Sequence, residues 1–387
     1  MRIAIYGISF PEGMAMTNRL KMYLKSLSEK ETEIKVYSYG NKKETGKYEG
    51  VKFEKSIKKR IVQSQIDKYF LDIFLHVIPA WKITSKSDII FISGFGWLTL
   101  IFICVVGKIN QCKIVMELNE NPGSIGTGIL SPLWLRKTNR WFALNLSYRF
   151  IDGFLCISKP LEELAKKYKK NKAKTIVVPI LCDCKDLKNT DSKESVDKEF
   201  PYIFHAGYIS PQKDGIYAVI EAFALACSRT VLPLKFILTV RLAHKDVLNK
   251  IDDIIKENKL ENRIIWLGFV SSEEVAKYRG KASMAIINKP KNWQNEFNFP
   301  TKLGESLSSG IPVIASRTGE MNRFLKDNIT AYLVDPNNVE QIADRIIDII
   351  ENPRKSKIIG ENGRDLAKIK FDYRNYTSSL HDFFSSI

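Results

Sequence analysis

Short apolar runs alternate along this chain with longer stretches whose apolar residues recur at helical spacing. In the first half, Arg2–Tyr6, Glu33–Tyr39, Asp88–Ser93, Lys113–Leu118, Gly153–Ile157 and Thr175–Val178 read as strands rich in Ile, Val or Phe. Helical patterns such as Thr17–Ser28 and Lys159–Lys170 lie between them. In the second half the strands are Tyr202–His205, Lys235–Thr239, Arg263–Leu267, Met284–Ile287, Val313–Ala315 and Ala331–Val334, with helices such as Gly215–Cys227 and Val339–Asn352. Strand–helix alternation predicts parallel sheets covered by helices on both faces. Because it occurs twice, the expected class is α/β with two doubly wound, Rossmann-like domains.

The polar stretch CKDLKNTDSKESVDKEF (184–200) reads as a linker. It sets the expected domains at 1–195 and 196–365, followed by a C-terminal segment, 366–387, that reads as helical near its end and is able to cross back to the first domain. The longest apolar stretch, Ile89–Val106, approaches a membrane span in length. Ser93, Gly94 and Gly96 break it into a strand-turn-helix rhythm, which favours a buried strand and a core helix.

Composition sharpens this picture in three ways. A chain of 387 residues is too long for one ordinary core. Six scattered cysteines without a CxxC pair point to reduced thiols in a cytoplasm; Cys182-Asp183-Cys184 is a weak metal hint beside the plainer reading of small residues after a strand. The N-terminal MRIAIYGISF lacks the apolar region and cleavage site of a signal peptide and reads as a first strand. Charge is lopsided: of the net +17, residues 1–195 carry 33 basic against 19 acidic side chains, the rest 27 against 24. A basic first half implies an anionic partner, either nucleic acid or an acidic lipid surface.

Ligands of open parallel sheets bind beyond the carboxyl ends of the strands, so the loops there carry the candidate chemistry. GISFPEGMAMTNRL follows the first strand, with Gly7 and Gly13 bracketing a loop that opens a helix; a phosphate site and a plain turn are both open. HAGYISPQKDGIYAVIEAF places Gly207 where backbone can approach a ligand and Lys213 just before a helix start. NFPTKLGESLSSGIPVIAS (298–316) forms a turn at Phe299-Pro300-Thr301, a helix over Thr301–Ser309 ended by Gly310, and a buried strand. The first amides of that helix suit a pyrophosphate, Lys302 adds charge, and Glu305, one turn in, suits a ribose diol.

With these residues the chain resembles a retaining family 4 glycosyltransferase of the GT-B fold. The likeness rests on the loop near Gly13, on AGYISPQKDGIYAVIEAF and on FPTKLGESLSSGIPVIAS, with support from VVPILCD and WLGFVSSEEVAKYRGKASMAII. The resemblance implies two Rossmann-like domains facing across a cleft. It implies an N-terminal domain that binds the acceptor and a C-terminal domain that binds a nucleotide-sugar, by family habit a UDP-sugar. Glu305 would meet the ribose, Lys213 the diphosphate, and Phe269 and Val270 the base. Gly13, Gly207, Phe299, Pro300, Thr301 and Lys302 complete the donor set, and the catalytic assignments are Lys213, Glu305 and Glu120. Transfer would retain anomeric configuration with no metal and no cofactor, in keeping with the lack of an Asp-x-Asp sequence.

Three positions depart from the family pattern. Eight residues before Glu305 stands Phe297 rather than a glutamate, leaving Glu296 as a possible partner carboxylate. Tyr208 replaces a basic residue. KIVMELNENPGS supplies Glu117, Asn119 and Glu120 where a histidine is usual, and these become the acceptor-side candidates. The cationic KSIKKR (55–60) and the basic-aromatic PLWLRKTNRWFALNLSYRF (132–150), with Trp134, Trp141 and Phe142 among Arg136, Lys137, Arg140 and Arg149, suit an anionic membrane interface or an ordinary core-packed helix. The implied role is sugar transfer to a glycan or lipid-linked acceptor in bacterial surface polysaccharide or lipooligosaccharide assembly, peripherally at the inner face of the cytoplasmic membrane. The alternative is a nucleotide-sugar 2-epimerase, with His205 and His244 as weak acid/base candidates. A nucleic-acid-binding protein, suggested by charge alone, is the distant one, and no nucleic-acid partner is expected.

Overall fold

The computed structural model describes residues 1–13, 15–28, 32–40, 43–57, 65–122, 133–184 and 200–387. The chain divides into two compact units, Met1–Leu181 with Tyr373–Ile387, and Cys182–Asp372.

In the first unit eight strands form one sheet: β1 (Arg2–Tyr6), β2 (Glu33–Tyr39), β3 (Glu44–Tyr48), β4 (Val51–Ile57), β5 (Ile89–Ser93), β6 (Lys113–Leu118), β7 (Gly153–Cys156) and β8 (Lys174–Val177). Their order is β3-β4-β2-β1-β5-β6-β7-β8. All neighbours are parallel except β3, which folds back antiparallel on β4. β1 lies between β2 and β5, with Ile3 registered on Ile34 and Ile89. Every residue of β5 is buried, as a central strand covered on both faces must be. Connections from β1 run outward in both directions, so the topological switch lies between β1 and β5.

The second unit repeats the plan with six parallel strands: β9 (Tyr202–His205), β10 (Lys235–Leu238), β11 (Ile264–Trp266), β12 (Met284–Ile287), β13 (Val313–Ser316) and β14 (Tyr332–Val334). Their order, β11-β10-β9-β12-β13-β14, puts the switch between β9 and β12. Ile203, Phe236, Ile286 and Ile314 meet Val219 and Phe223 of the helix Ile216–Arg229 and Ile346 of the helix Val339–Glu351 in one buried core.

The alternating pattern therefore yields the expected class, two doubly wound α/β units, with five strands placed as read and the other element ends at most a residue or two away. The β3–β4 hairpin is absent from the sequence reading. ETGKY has no apolar alternation, and an edge strand needs none because one side faces water. The units divide at Leu181/Cys182. Leu181 packs in the first core, while the Cys182 amide donates to the Phe371 carbonyl at 2.8 Å within the second. The closing segment, a 3-10 turn at Tyr373–Tyr376 and a helix at Thr377–Ser385, buries Leu380, Phe383 and Phe384 in the first unit's core. Ile89–Val106 resolves into β5 and the start of the helix Trp97–Ile109, turned at Gly94 with φ +81°. Among the described residues no helix is long and apolar enough to cross a membrane. All six cysteines are unbridged, and the Cys182 and Cys184 sulfurs lie 3.6 Å apart. Met14, residues 58–60 of the cationic cluster, Pro132 and residues 185–199 of the polar linker lie outside the described residues.

Candidate functional site

The site grows from the switch point of the second sheet, where strands β9 and β12 end side by side. β9 closes with His205. The chain then turns through Gly207, at φ +98°, whose amide donates to Thr239 Oγ1 at 2.8 Å. A Cβ on Gly207 would lie 3.3 Å from Lys302 Cε, so the glycine lets lysine and loop pack closely. Ser210 caps the short helix Pro211–Asp214 by accepting from the Lys213 amide at 3.1 Å. Gly215 follows at φ +55°; a side chain there would strike Asn288 and Asn337. Asn292 and Asn295, from the short helix Trp293–Phe297 and its cap, donate to the Gln212 carbonyl at 2.9 and 3.0 Å and pin the same loop.

β12 closes into Asn288 and Lys289. The Lys289 backbone is tied to the end of β13: its amide donates to Ser316 Oγ at 2.7 Å, and its carbonyl accepts from Thr318 Oγ1 at 2.8 Å. Its ammonium lies 3.6 Å from Asp214 Oδ1. Lys302, in the first turn of the helix Thr301–Ser308, places its ammonium 3.7 Å from the same oxygen and donates to His205 Nε2 at 3.1 Å. Both ion-pair distances exceed ordinary hydrogen-bond length, and two ammonium groups share one carboxylate oxygen.

Electrostatics follow from that crowding. Burial, reinforced by Lys302, pushes the His205 imidazole down to about 3, so it stands neutral and accepts from Lys302. Burial works against charge on Asp214, but Lys302 and Lys289, with smaller help from Lys213, hold its carboxyl below the usual range. Burial lowers Lys289 as well; Asp214 opposes the shift and the Lys302 and Lys213 charges add to it. A partly desolvated cluster with more cation than anion favours a multiply charged oxyanion.

Glu305 lies one turn into the helix Thr301–Ser308, whose start has no side-chain cap. Its carboxylate pairs at 2.6 Å with Arg279, from the last turn of the helix Ser272–Lys281. The Arg279 side chain is 9% exposed and that of Glu305 29%, so the pair is anchored inside and open on the carboxylate side.

Two sequence relations bear on this geometry. Residues 187–366 match the family model of glycosyl transferases group 1. An uncharacterized glycosyltransferase of Methanocaldococcus jannaschii is 24% identical over 238 residues, 61% of this chain and 60% of that protein. The family-model match falls within the second unit. The chain spans 60% of the length of that curated relative. Solved structures agree in fold. Sucrose-phosphate synthase from Thermosynechococcus elongatus has a TM-score of 0.78 at 15% identity, covering 99% of this chain and 98% of that one. Anabaena HepE, solved with UDP and glucose, has a TM-score of 0.75 at 18% identity, covering all of both chains. The fold is GT-B.

Within the second unit the candidate residues separate by placement. Gly207, Lys213, Lys302 and Glu305 stand on the loop and helix at the switch point; Pro300 is buried and Thr301 partly so. Phe299 has its ring in an aromatic cluster, stacked on Phe324 at 5.3 Å and edge-on to Phe371, so a ligand meets its backbone and not its ring. Phe269 follows Gly268 (φ +76°) and is 81% exposed, with Val270 partly buried beside it. Glu296 is partly buried in the short helix Trp293–Phe297, and its backbone crowds Gly319. His244 is exposed, 3.2 Å from Asp246 at a helix start. Sequence reading passed over Lys289, Asp214 and Arg279. Lys289 lies just past a strand end and Asp214 stands beside Lys213 before Gly215, signals that were present; Arg279 becomes visible only when the fold sets residue 279 against 305.

In the first unit, Glu117, the penultimate residue of β6, sits inside a buried polar knot. It accepts from Arg19 at 2.9 Å, Tyr23 at 3.2 Å, Ser93 at 2.8 Å and Asn119 at 3.2 Å, and is 1% exposed. Asn119 donates also to Ser93. Of the acceptor-side candidates these two are committed to each other, whereas Glu120 is only partly buried. Gly13 precedes the helix Ala15–Ser28, where Thr17 Oγ1 donates to the Ser9 carbonyl at 2.6 Å; a Cβ on Gly13 would strike that hydroxyl.

Proposed function

We propose that the protein is a retaining family 4 glycosyltransferase that moves a hexosyl or N-acetylhexosaminyl unit from a UDP-sugar to a glycan or lipid-linked acceptor. The observation that carries the reading is the pair of ammonium groups, buried Lys289 and partly exposed Lys302, sharing Asp214 at the switch point of the second sheet. A nucleotide diphosphate supplies the oxygens that this pair lacks. Charge on the departing diphosphate grows as the glycosidic bond breaks, so Lys302, Lys289 and Lys213 bind the transition state more strongly than the ground state. Glu305, oriented by Arg279, accepts from the ribose hydroxyls, and the chain around Phe269 and Val270 covers the base. No metal or cofactor is invoked, since the lysines carry the leaving-group charge. The UDP assignment draws on Anabaena HepE, solved with UDP-glucose. The acceptor falls to the first unit, with Glu120 as its catalytic candidate. Bacterial surface polysaccharide or lipooligosaccharide assembly, at the inner face of the cytoplasmic membrane, is the proposed setting.

The test is calorimetric titration of UDP, GDP and CMP. UDP is expected to bind, and Lys289→Met to weaken it by about tenfold or more, the loss of a charge-assisted hydrogen bond of about 1.5–3 kcal/mol. Failure of every nucleotide to bind, or unchanged affinity in Lys289→Met, removes the basis of the reading. Conversion of the UDP-sugar itself without acceptor would make the protein an epimerase.

A further inference from the structure

We infer that one outer face of the first unit, built by three neighbouring helices, is a docking surface for an anionic lipid bilayer. The inference deepens the membrane-side part of the proposed function and rests on it. The helices are Gln65–Thr84, Trp97–Ile109 and Leu133–Asn145. They are held together: Asn110 Nδ2 donates to Thr84 Oγ1 at 2.8 Å, the Trp97 amide donates to Asn139 Oδ1 at 2.9 Å, and Trp97 stacks on Phe142 at 4.3 Å.

On the outside of this layer Trp81, Phe102, Val105, Ile109, Trp134 and Trp141 are 41–60% exposed. The helix Trp97–Ile109 shows the anomaly most clearly. Leu100, Ile103 and Cys104 fill its inner face, and Phe102, Val105 and Ile109 occupy the outer one, where a water-facing helix carries polar residues. Exposed large apolar side chains in the second unit are scattered over loops and helices; here seven, Ile78 among them, fall on three neighbouring helices, and a clustered patch of this kind marks an interaction surface.

Charge selects the partner. Residues 75–86, 97–110 and 133–150 contain no aspartate or glutamate. Lys82 and Lys137 are exposed beside the tryptophans, with Lys86 and Arg149 exposed at the helix ends. A cationic face with tryptophans, whose two sequence carboxylates, Asp67 and Asp72, lie in the first half of Gln65–Thr84 and well before Trp81 in sequence, suits the headgroup region of an acidic bilayer, where indoles sit well and basic side chains gain from lipid phosphate. A second copy fits less well, because a two-fold contact would set this positive face against itself.

The test is sedimentation with vesicles of phosphatidylcholine alone or mixed in equal parts with phosphatidylglycerol. The full chain is expected to sediment with the anionic vesicles, to remain in solution with the neutral ones, and to be released as salt shortens the screening length from about 10 Å at 0.1 M to about 3 Å at 1 M. Trp141→Ser and Phe102→Ser should each lower partitioning about tenfold, the scale for withdrawing one large side chain from burial. Lys137→Glu should abolish the preference for anionic lipid. UDP titration and melting temperature, read on the same variants, should not change, which separates this surface from the donor site. Equal binding to both vesicle types, indifference to the Trp141 and Phe102 substitutions, or a concentration-dependent dimer broken by Trp141→Ser would overturn the inference; the last would identify a second copy as the occupant.

Discussion

At the scale of single residues, the Arg279–Glu305 pair is asymmetric, and the asymmetry has a measurable sign. Arg279 is the more buried partner. Removing the carboxylate strands a guanidinium away from water, whereas removing the guanidinium leaves a carboxylate that water still reaches. Glu305→Ala is therefore expected to lower stability more than Arg279→Met, by about 1–3 kcal/mol in urea unfolding. Under the proposed function both should weaken UDP, the first by losing the ribose acceptor and the second by losing its orientation. Equal stability losses would mean that the pair is solvated and does not preorganise the ribose contact. Glu305 was legible in the sequence because helix start, glycine stop and buried strand follow one another within NFPTKLGESLSSGIPVIAS. Its partner was not, because residues 279 and 305 belong to different helices that only the strand order brings together.

Among elements, strands with buried faces announced themselves and edge or polar ones did not. β5, IIFIS, is apolar throughout because it is covered on both faces. β3, ETGKY, carries no such mark, and only its antiparallel register on β4 defines it. The closing helix Thr377–Ser385 was readable as a helix, but its docking site was not. It reaches β7, where a Cβ on Gly153 would lie 2.9 Å from Phe383 Cζ and would strike Ile387. Gly153→Ala should push that helix outward and cost about 1–3 kcal/mol, the usual range for overpacking. A lowered melting temperature with faster proteolysis after Tyr373 checks this; unchanged melting would show that the side-chain tips simply rotate aside.

For the whole molecule, each unit carries a buried neutral imidazole, and together they predict acid sensitivity. Burial pushes His76 down to about 4; its Nδ1 shares a 2.7 Å hydrogen bond with the Tyr6 hydroxyl. His205 is pushed to about 3 in the second unit. The unfolded chain takes up a proton at each near 6.5, and the folded chain only well below that. Between these values the unfolded state binds more protons, so stability rises with pH and is lost on acidification, by up to about 1.4 kcal/mol per pH unit for each imidazole. Urea melts from about pH 7.5 to about pH 5 should show this slope, and His76→Gln or His205→Gln should flatten it. A flat profile in the wild-type chain would mean that the imidazoles are hydrated.

The return of Tyr373–Ile387 to the first unit also bears on how the chain is made. The first 181 residues leave the ribosome without Leu380, Phe383 and Phe384, which complete the core around Phe91. The whole of Cys182–Asp372 must be synthesised first, a wait of roughly 10 to 40 s at about 5–20 residues per second. Vectorial synthesis thus lets the second-emerging unit finish before the first-emerging one, and a nascent chain carries an unsealed hydrophobic seam until translation reaches its final turn. A premature stop anywhere in Cys182–Asp372 leaves the first unit open as well, which makes truncated products of this chain natural substrates for chaperones and proteases.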